Sequence, residues 1–212
     1  MIDYFCNRLH LDIYFNLDKH HVKSESPADL NLWQVAAEKS LFYSSHVAEY
    51  LKNTYFRTKD LSALKVVLDE LYANIADHSQ AKDVAYSYIH YDESTGTIKI
   101  AFCDFGIGIP RSLQNAGIEA NGEYIMKATG VGVSTKSNTH NKGFGLDTVV
   151  SSVAGTGNTI VIISGNELFI SYGKDDHERT WPRPYNFHGT LIYFDMSIDS
   201  FDDADYVGEF EL

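Results

Sequence analysis

The segment ELYANIADHS, Glu70 to Ser79, decides how the chain reads, because it sets a carboxylate, an amide and a second carboxylate along one side of a helix. Upstream of it Leu64, Val67, Leu68, Leu71 and Ile75 recur at helical spacing, so a helix is expected from Leu61 to Ser79 with that stripe in a core. Glu70, Asn74 and Asp77 stand at i, i+4 and i+7 on a neighbouring face. Mg²⁺ takes oxygen ligands and keeps several waters, so an Asn oxygen together with nucleotide phosphates is enough protein for it. A Glu one turn away can then take a proton from water or from an acceptor hydroxyl. Taken alone, the same residues also describe an ordinary solvated helix face.

Two glycine-rich segments follow in order. Thr97 to Cys103 alternates, with Ile98, Ile100 and Phe102 on one side, and then breaks into DFGIGIP, Asp104 to Pro110. Gly106 and Gly108 permit a sharp turn and the close approach of a flat ligand. An ionised Asp104 accepts hydrogen bonds, for example from an exocyclic amine such as adenine N6. The third segment, NKGFGLD from Asn141 to Asp147, leads into Leu146, Val149, Val150 and Val153, the pattern of a short helix from Phe144 to Ala154. Glycines at a helix start leave N–H groups for phosphate oxygens, and Lys142 adds a point charge there. Neither glycine segment is a Walker A loop or a full G-x-G-x-x-G, which disfavours those two nucleotide folds.

The ordered trio E-x-x-x-N, D-x-G-x-G-[IV] and G-x-G-L resembles the N, G1 and G2 boxes of the GHKL superfamily, whose members include gyrase, heat-shock chaperones, histidine kinases and MutL. The match covers roughly residues 60 to 195. The resemblance implies ATP and Mg²⁺ as cofactors, Glu70 as the catalytic general base, Asn74 as the metal ligand and Asp104 as the adenine contact. It places Asp77, His78, Gly106, Gly108, Ile109, Lys142, Gly143, Phe144, Gly145 and Leu146 around the nucleotide. Thr190, after His188 and Gly189, resembles the superfamily's strand-borne Thr near the adenine. The stretch from Ile109 to about residue 142, rich in Gly, Ser and Thr with one short helix near Glu123 to Ala128, corresponds to the ATP lid.

Independent of the resemblance, strands are expected at Val84–Tyr91, Thr97–Cys103, Thr159–Ser164, Glu167–Tyr172 and Thr190–Met196, with a turn at Ser164-Gly165-Asn166. A further helix is expected from Leu30 to Asn53, after the helix-start signal Ser26-Pro27. The economical packing is α+β, a two-layer sandwich with a mostly antiparallel sheet covered on one face by helices, called the Bergerat fold in this superfamily. The expected organisation is an N-terminal strand or extension over residues 1–25, the ATP-binding domain over 26–198, and a solvated acidic tail over 199–212.

With 212 residues, 44% of them apolar, the chain can bury a substantial core. There is no secretory signal and no apolar run near the roughly 18 residues that a membrane span needs. Two cysteines, Cys6 and Cys103, give no disulfide framework, and the cytoplasm is the expected compartment. A formal charge of −12 argues against nonspecific nucleic-acid binding. The nine histidines show no metal-ligand spacing, and His46, among aromatic and small residues, reads as core packing rather than as a phosphoacceptor.

In layout the chain resembles the compact anti-sigma-factor serine kinases, which implies phosphoryl transfer to a Ser or Thr of a separate regulatory protein. Two other classes stay open: an ATP-hydrolysing switch that reshapes a dimer or an effector partner, and the catalytic half of a split histidine kinase, since the N-box ends in His78-Ser79.

Overall fold

The computed structural model describes residues 29–36, 39–80, 84–130, 145–172 and 179–204. The N-terminal strand or extension expected over residues 1–25, the residues Lys142, Gly143 and Phe144, and the end of the acidic tail lie outside these residues. Five strands, β1 (Asp29–Ala36), β2 (Val84–Asp92), β3 (Thr97–Asp104), β4 (Thr159–Tyr172) and β5 (Arg179–Ser197), form one sheet in the order β1-β2-β3-β5-β4. Every neighbouring pair is antiparallel. The helices are α1 (Ser40–Thr54), α2 (Ser62–Asn74), α3 (Gly108–Asn115), α4 (Tyr124–Ala128) and α5 (Leu146–Ala154). The fold is therefore α+β, a two-layer arrangement of helices on an antiparallel sheet, as the sequence implied.

The core lies between one face of the sheet and α1, α2 and α5. Val47 and Leu51 of α1, Leu64, Leu68 and Leu71 of α2, and Val149 and Val153 of α5 are buried against Ile89, Ile98, Ile100, Ile160, Ile192 and Phe194. Along β3 the alternation is strict: Ile98, Ile100, Phe102 and Asp104 point into this layer, and Lys99, Ala101 and Cys103 look the other way. Asp104 therefore inherits an inward orientation from an apolar period-two pattern. Tyr72 of α2 meets Phe102 edge-to-face, ring centroids 4.8 Å apart, and Tyr43 of α1 stands edge-on to Tyr72 at 5.8 Å. Tyr43 also shares a 2.5 Å hydroxyl contact with Ser87 of β2. These aromatic contacts fix the helix carrying Glu70 and Asn74 over the strand carrying Asp104.

Several expectations about the elements are corrected. The single helix from Leu30 to Asn53 is instead β1 followed by α1. The apolar residues Leu30, Leu32, Trp33 and Val35 change parity, and β1 slips register against β2 between Leu30 and Trp33. A bulged strand hides its alternation in this way and can be mistaken for helical spacing. The strands Thr159–Ser164 and Glu167–Tyr172 are one strand, β4, with Gly165 at φ +59 in place of a turn. The strand expected from Thr190 likewise begins at Arg179. Part of the irregular region after Ile109 is helical, as α3, while the short helix near Glu123 appears as α4.

The acidic stretch also starts packed rather than solvated. Phe201 is buried, Asp60 N–H donates to the Asp202 carbonyl at 2.9 Å, and Lys59 Nζ reaches the Phe201 carbonyl and the Asp203 carboxylate, both at 3.0 Å. His46 is exposed on α1, stacked on Phe42, and does not pack in the core. Among the described residues, no helix is long and apolar enough to cross a membrane.

Candidate functional site

The N-box helix does not run straight to Ser79. After Asn74 the backbone widens into a π turn, Ile75–Ser79, and ends on Gln80 in the left-handed region at φ +54. Such turns push backbone groups out of the helical ladder, and they recur at functional sites. Here the freed group is the Ser79 carbonyl, which accepts the Ile107 N–H at 2.7 Å, while Ser79 Oγ donates back to the Ile75 carbonyl at 2.8 Å. The last residue of ELYANIADHS and the fourth of DFGIGIP thus join the two segments through backbone. A Cβ added at Gly106 would fall inside the Ser79 carbonyl, so no other residue fits there without moving the π turn.

Asp104 is the buried centre of the next layer, only 4% exposed. Its Oδ1 accepts the Gly106 N–H at 2.7 Å, and in the β3–β5 ladder its partner is Thr190. Burial pushes the carboxyl above its ordinary range, and bonds from the Gly106 N–H and from the Thr190 hydroxyl and N–H pull it part of the way back. Thr190, placed by resemblance, is therefore beside Asp104. Gly189, at φ +103, lies so close to the Asp104 carbonyl that a Cβ there would overlap it.

Ser164, which the sequence reading did not single out, completes this floor. Fully buried on β4, its Oγ accepts the Ile109 N–H at 2.8 Å and donates to the Gly189 carbonyl at 2.8 Å, with Thr190 Oγ1 at 3.2 Å. One hydroxyl thereby joins the first turn of α3 to the strand bearing Thr190. A Cβ at Gly108 would stand 2.8 Å from this same oxygen, which explains the glycine by space as well as by its φ of +78. No local motif flags Ser164, since a Ser beside Gly165 reads as turn chemistry.

On the other side, Glu70 and Asn74 are half-buried on α2, and Asp77 and His78 are half-buried in the π turn. Glu70 has its carboxyl raised by burial first, then by the charges of Asp69, Asp147 and Asp77. Asp147 sits in the first turn of α5, directly after Gly145 and Leu146, so the G2 segment meets the N-box across the packed pair α2 and α5. Asp147 is a second residue that the sequence reading passed over; an acid just after a glycine-rich helix start gives no signal until α5 is docked on α2. Gly145 is extended, φ −161, and its carbonyl accepts the Thr148 N–H at 3.0 Å to open α5, while Leu146 is anchored in the core. The structure thus brings together Glu70, Asp77, Asn74 and the start of α5 on one side, and Asp104, Gly106, Gly108, Ile109 and Thr190 on the other.

These residues fit ATP and Mg²⁺ on two observations. A carboxylate offers about four acceptor positions, and Asp104 is met by three protein donors, from Gly106 and Thr190, which leaves room for an amine of a base. Asn74 has its amide nitrogen buried without a partner. An Asn amide turned over presents oxygen in place of nitrogen, so this end of the side chain can meet either a phosphate oxygen or a cation.

No protein-family model matches the chain, and no curated protein matches it. Among solved structures it is similar to the B-subunit of DNA gyrase from Myxococcus xanthus, at 13% identity and TM-score 0.34 over 77% of this chain and 45% of that one. It is also similar to the ATPase region of Saccharomyces cerevisiae topoisomerase II, at 11% identity and TM-score 0.37 over 66% and 39%. A third is the topoisomerase IV ATP-binding domain of Francisella tularensis, at 15% and 0.37 over 74% and 42%. The chain spans less than half the length of each of these. These likenesses are weak, each with a TM-score under 0.4, and the site stands on the contacts described above.

Proposed function

We propose that this protein binds ATP with Mg²⁺ between the N-box helix and the Asp104 loop, and uses Glu70 as general base to transfer the γ-phosphoryl group to a Ser or Thr of a separate regulatory protein. The observation that carries the binding half is Asp104: a carboxylate 4% exposed, fixed by the Gly106 N–H and Thr190, on a loop pressed against the N-box by the Ile107 to Ser79 bond. Burying such a group without function costs stability. Bound Mg²⁺ would supply neutralisation of the phosphate charge, held in part by Asn74. Burial and three neighbouring carboxylates raise the Glu70 carboxyl, which makes it a stronger proton acceptor than an ordinary Glu. Support for the serine-kinase layout comes from the helix α1 preceding the N-box helix α2; the strand expected before them in residues 1–25 lies outside the described residues.

A second reading is an ATP-hydrolysing switch that acts on an effector or on a second copy of the chain. It is favoured by Glu70, whose raised carboxyl takes a proton from water as well as from a hydroxyl. Calorimetry with ATP and Mg²⁺ on the wild type and on Asp104→Asn tests the shared part; binding by the wild type and loss in the variant is expected. Transfer from γ-labelled ATP then separates the classes. Acid-stable, alkali-labile label on a partner supports the kinase, phosphate release without label supports the switch, and acid-labile label supports a split histidine kinase.

A further inference from the structure

Glu167 is a buried carboxylate that the proposed chemistry does not use. It lies on β4 just past the place where the strand changes parity: Ile160, Ile162 and Ser164 face inward before it, and Glu167, Phe169 and Ser171 after it. The same irregularity appears in the ladder, where Ser164 pairs with Thr190, Gly165 with Phe187 and Glu167 with Pro182. Without that slip Glu167 would point out of the layer. Inside, it is 2% exposed, and its Oε2 accepts the Ile125 N–H at 2.9 Å, with the Tyr124 N–H also bonded to the carboxylate.

Those two N–H groups open α4. The helix has no side-chain cap of its own: Glu123 occupies the N-cap position and makes no cap bond. Its cap is instead delivered from another strand, 42 residues away. Ile125 is fully buried, Tyr124 is buried with its Oη donating to the Glu119 carboxylate at 3.1 Å, and α4 is thus seated by two buried side chains and one borrowed carboxylate. Burial raises the Glu167 carboxyl, the Ile125 and Tyr124 N–H groups pull it part of the way back, and the charge of Glu123 adds a smaller upward push. A Gln or Ser at this position would be cheaper for folding alone.

We infer that Glu167 is a positioning residue for nucleotide binding: by holding the first turn of α4 it fixes the far end of the segment that leaves the Asp104 loop through α3, and α3 packs both on α4 and on the π turn after Asn74. Ser164, three residues earlier on the same strand, holds the other end of that segment at Ile109. The β4 irregularity thus carries both attachments, one to the base-side loop and one to α4. This inference rests on the proposed ATP site.

The test compares Glu167→Leu and Glu167→Gln with wild type in the full chain, reading amide exchange by NMR, the urea midpoint, and AMP-PNP with Mg²⁺ by calorimetry. Exchange at Tyr124 and Ile125 is expected to rise about tenfold in the Leu variant, the loss of one hydrogen bond's worth of protection, and to recover in part in Gln, whose oxygen still accepts. AMP-PNP affinity should fall and recover in the same order, with Ile98 and Ile100 amides and the urea midpoint unchanged. Unchanged exchange at Tyr124 and Ile125 would overturn the inference. So would a loss of protection spread evenly over the core with a lower midpoint, or unchanged AMP-PNP affinity in both variants. If wild type itself binds no AMP-PNP, the ATP reading fails and the nucleotide role of Glu167 with it, while the exchange data still report whether Glu167 holds α4.

Discussion

The two flanks of the site are built differently. On the base side, Gly106, Gly108 and Gly189 are packed so tightly against Ser79, Ser164 and Asp104 that a methyl group has nowhere to go. Along the connecting segment, Gly117 and Gly122 have positive φ, +73 and +88, with nothing within 4 Å of an added Cβ. Glycine is demanded in the first region by space and in the second by backbone conformation alone. The Asp104 loop is held by interlocked backbone, whereas the segment carrying Gly117 and Gly122 is attached to the core by side chains, through Glu167, Leu113, Tyr124 and Ile125.

The largest expected effect lies where the flanks meet. Glu70→Gln should slow phosphate release or transfer by about 10³-fold while leaving ATP affinity near wild type in calorimetry; equal loss of both would make Glu70 a binding residue instead. Next, Gly106→Ala should cost about 3 kcal/mol of stability in urea and abolish binding, against about 1 kcal/mol for Gly122→Ala, the cost of a left-handed Ala. Equal costs would erase the contrast between the two flanks.

Asp104→Asn should weaken ATP binding about a hundredfold, the range for a hydrogen bond to a charged group, yet leave the ligand-free protein no less stable at pH 7. The sign follows from the raised carboxyl: between the ordinary carboxylate value and the raised one, the native state binds more protons than the unfolded state, so stability increases as pH falls through that window. Urea midpoints taken from pH 7 downward should show this slope in wild type and a shallower one in the variant. The smallest effect belongs to Asp147→Asn. Removing one of the charges that raise Glu70 should move the acidic limb of the pH–rate profile to lower pH, with the limb unmoved if Asp147 is too far to matter.

Much of the site was legible because its parts are local. ELYANIADHS, DFGIGIP and the Gly145-Leu146 helix start each carry their own periodicity or turn chemistry, and α2, β3 and α5 follow those patterns closely. What escaped reading shares one cause. Leu30–Val35 and Ser164–Glu167 are strands whose alternation is broken by a slip, and a slip is specified by the neighbouring strand rather than by the segment itself. Ser164, Glu167 and Asp147 are invisible for the same reason, since each acts on a residue far along the chain. The π turn is a further case: Ile75–Ser79 continues a helical pattern, and its widening shows only once Ser79 is bonded to Ile107.

The sequence by itself determined the period-two and period-3.6 patterns, and through them which face of β3 carries Asp104 and which face of α2 carries Glu70 and Asn74. Side-chain direction along a regular element is set by backbone geometry, so it can be read one segment at a time. Only the tertiary structure decided that Asp104 sits beside Thr190, that a hydroxyl from β4 fastens the Ile109 loop, and that a carboxylate from the same strand caps α4. Those contacts depend on strand order and register, which are properties of the assembled sheet and have no local spacing to announce them.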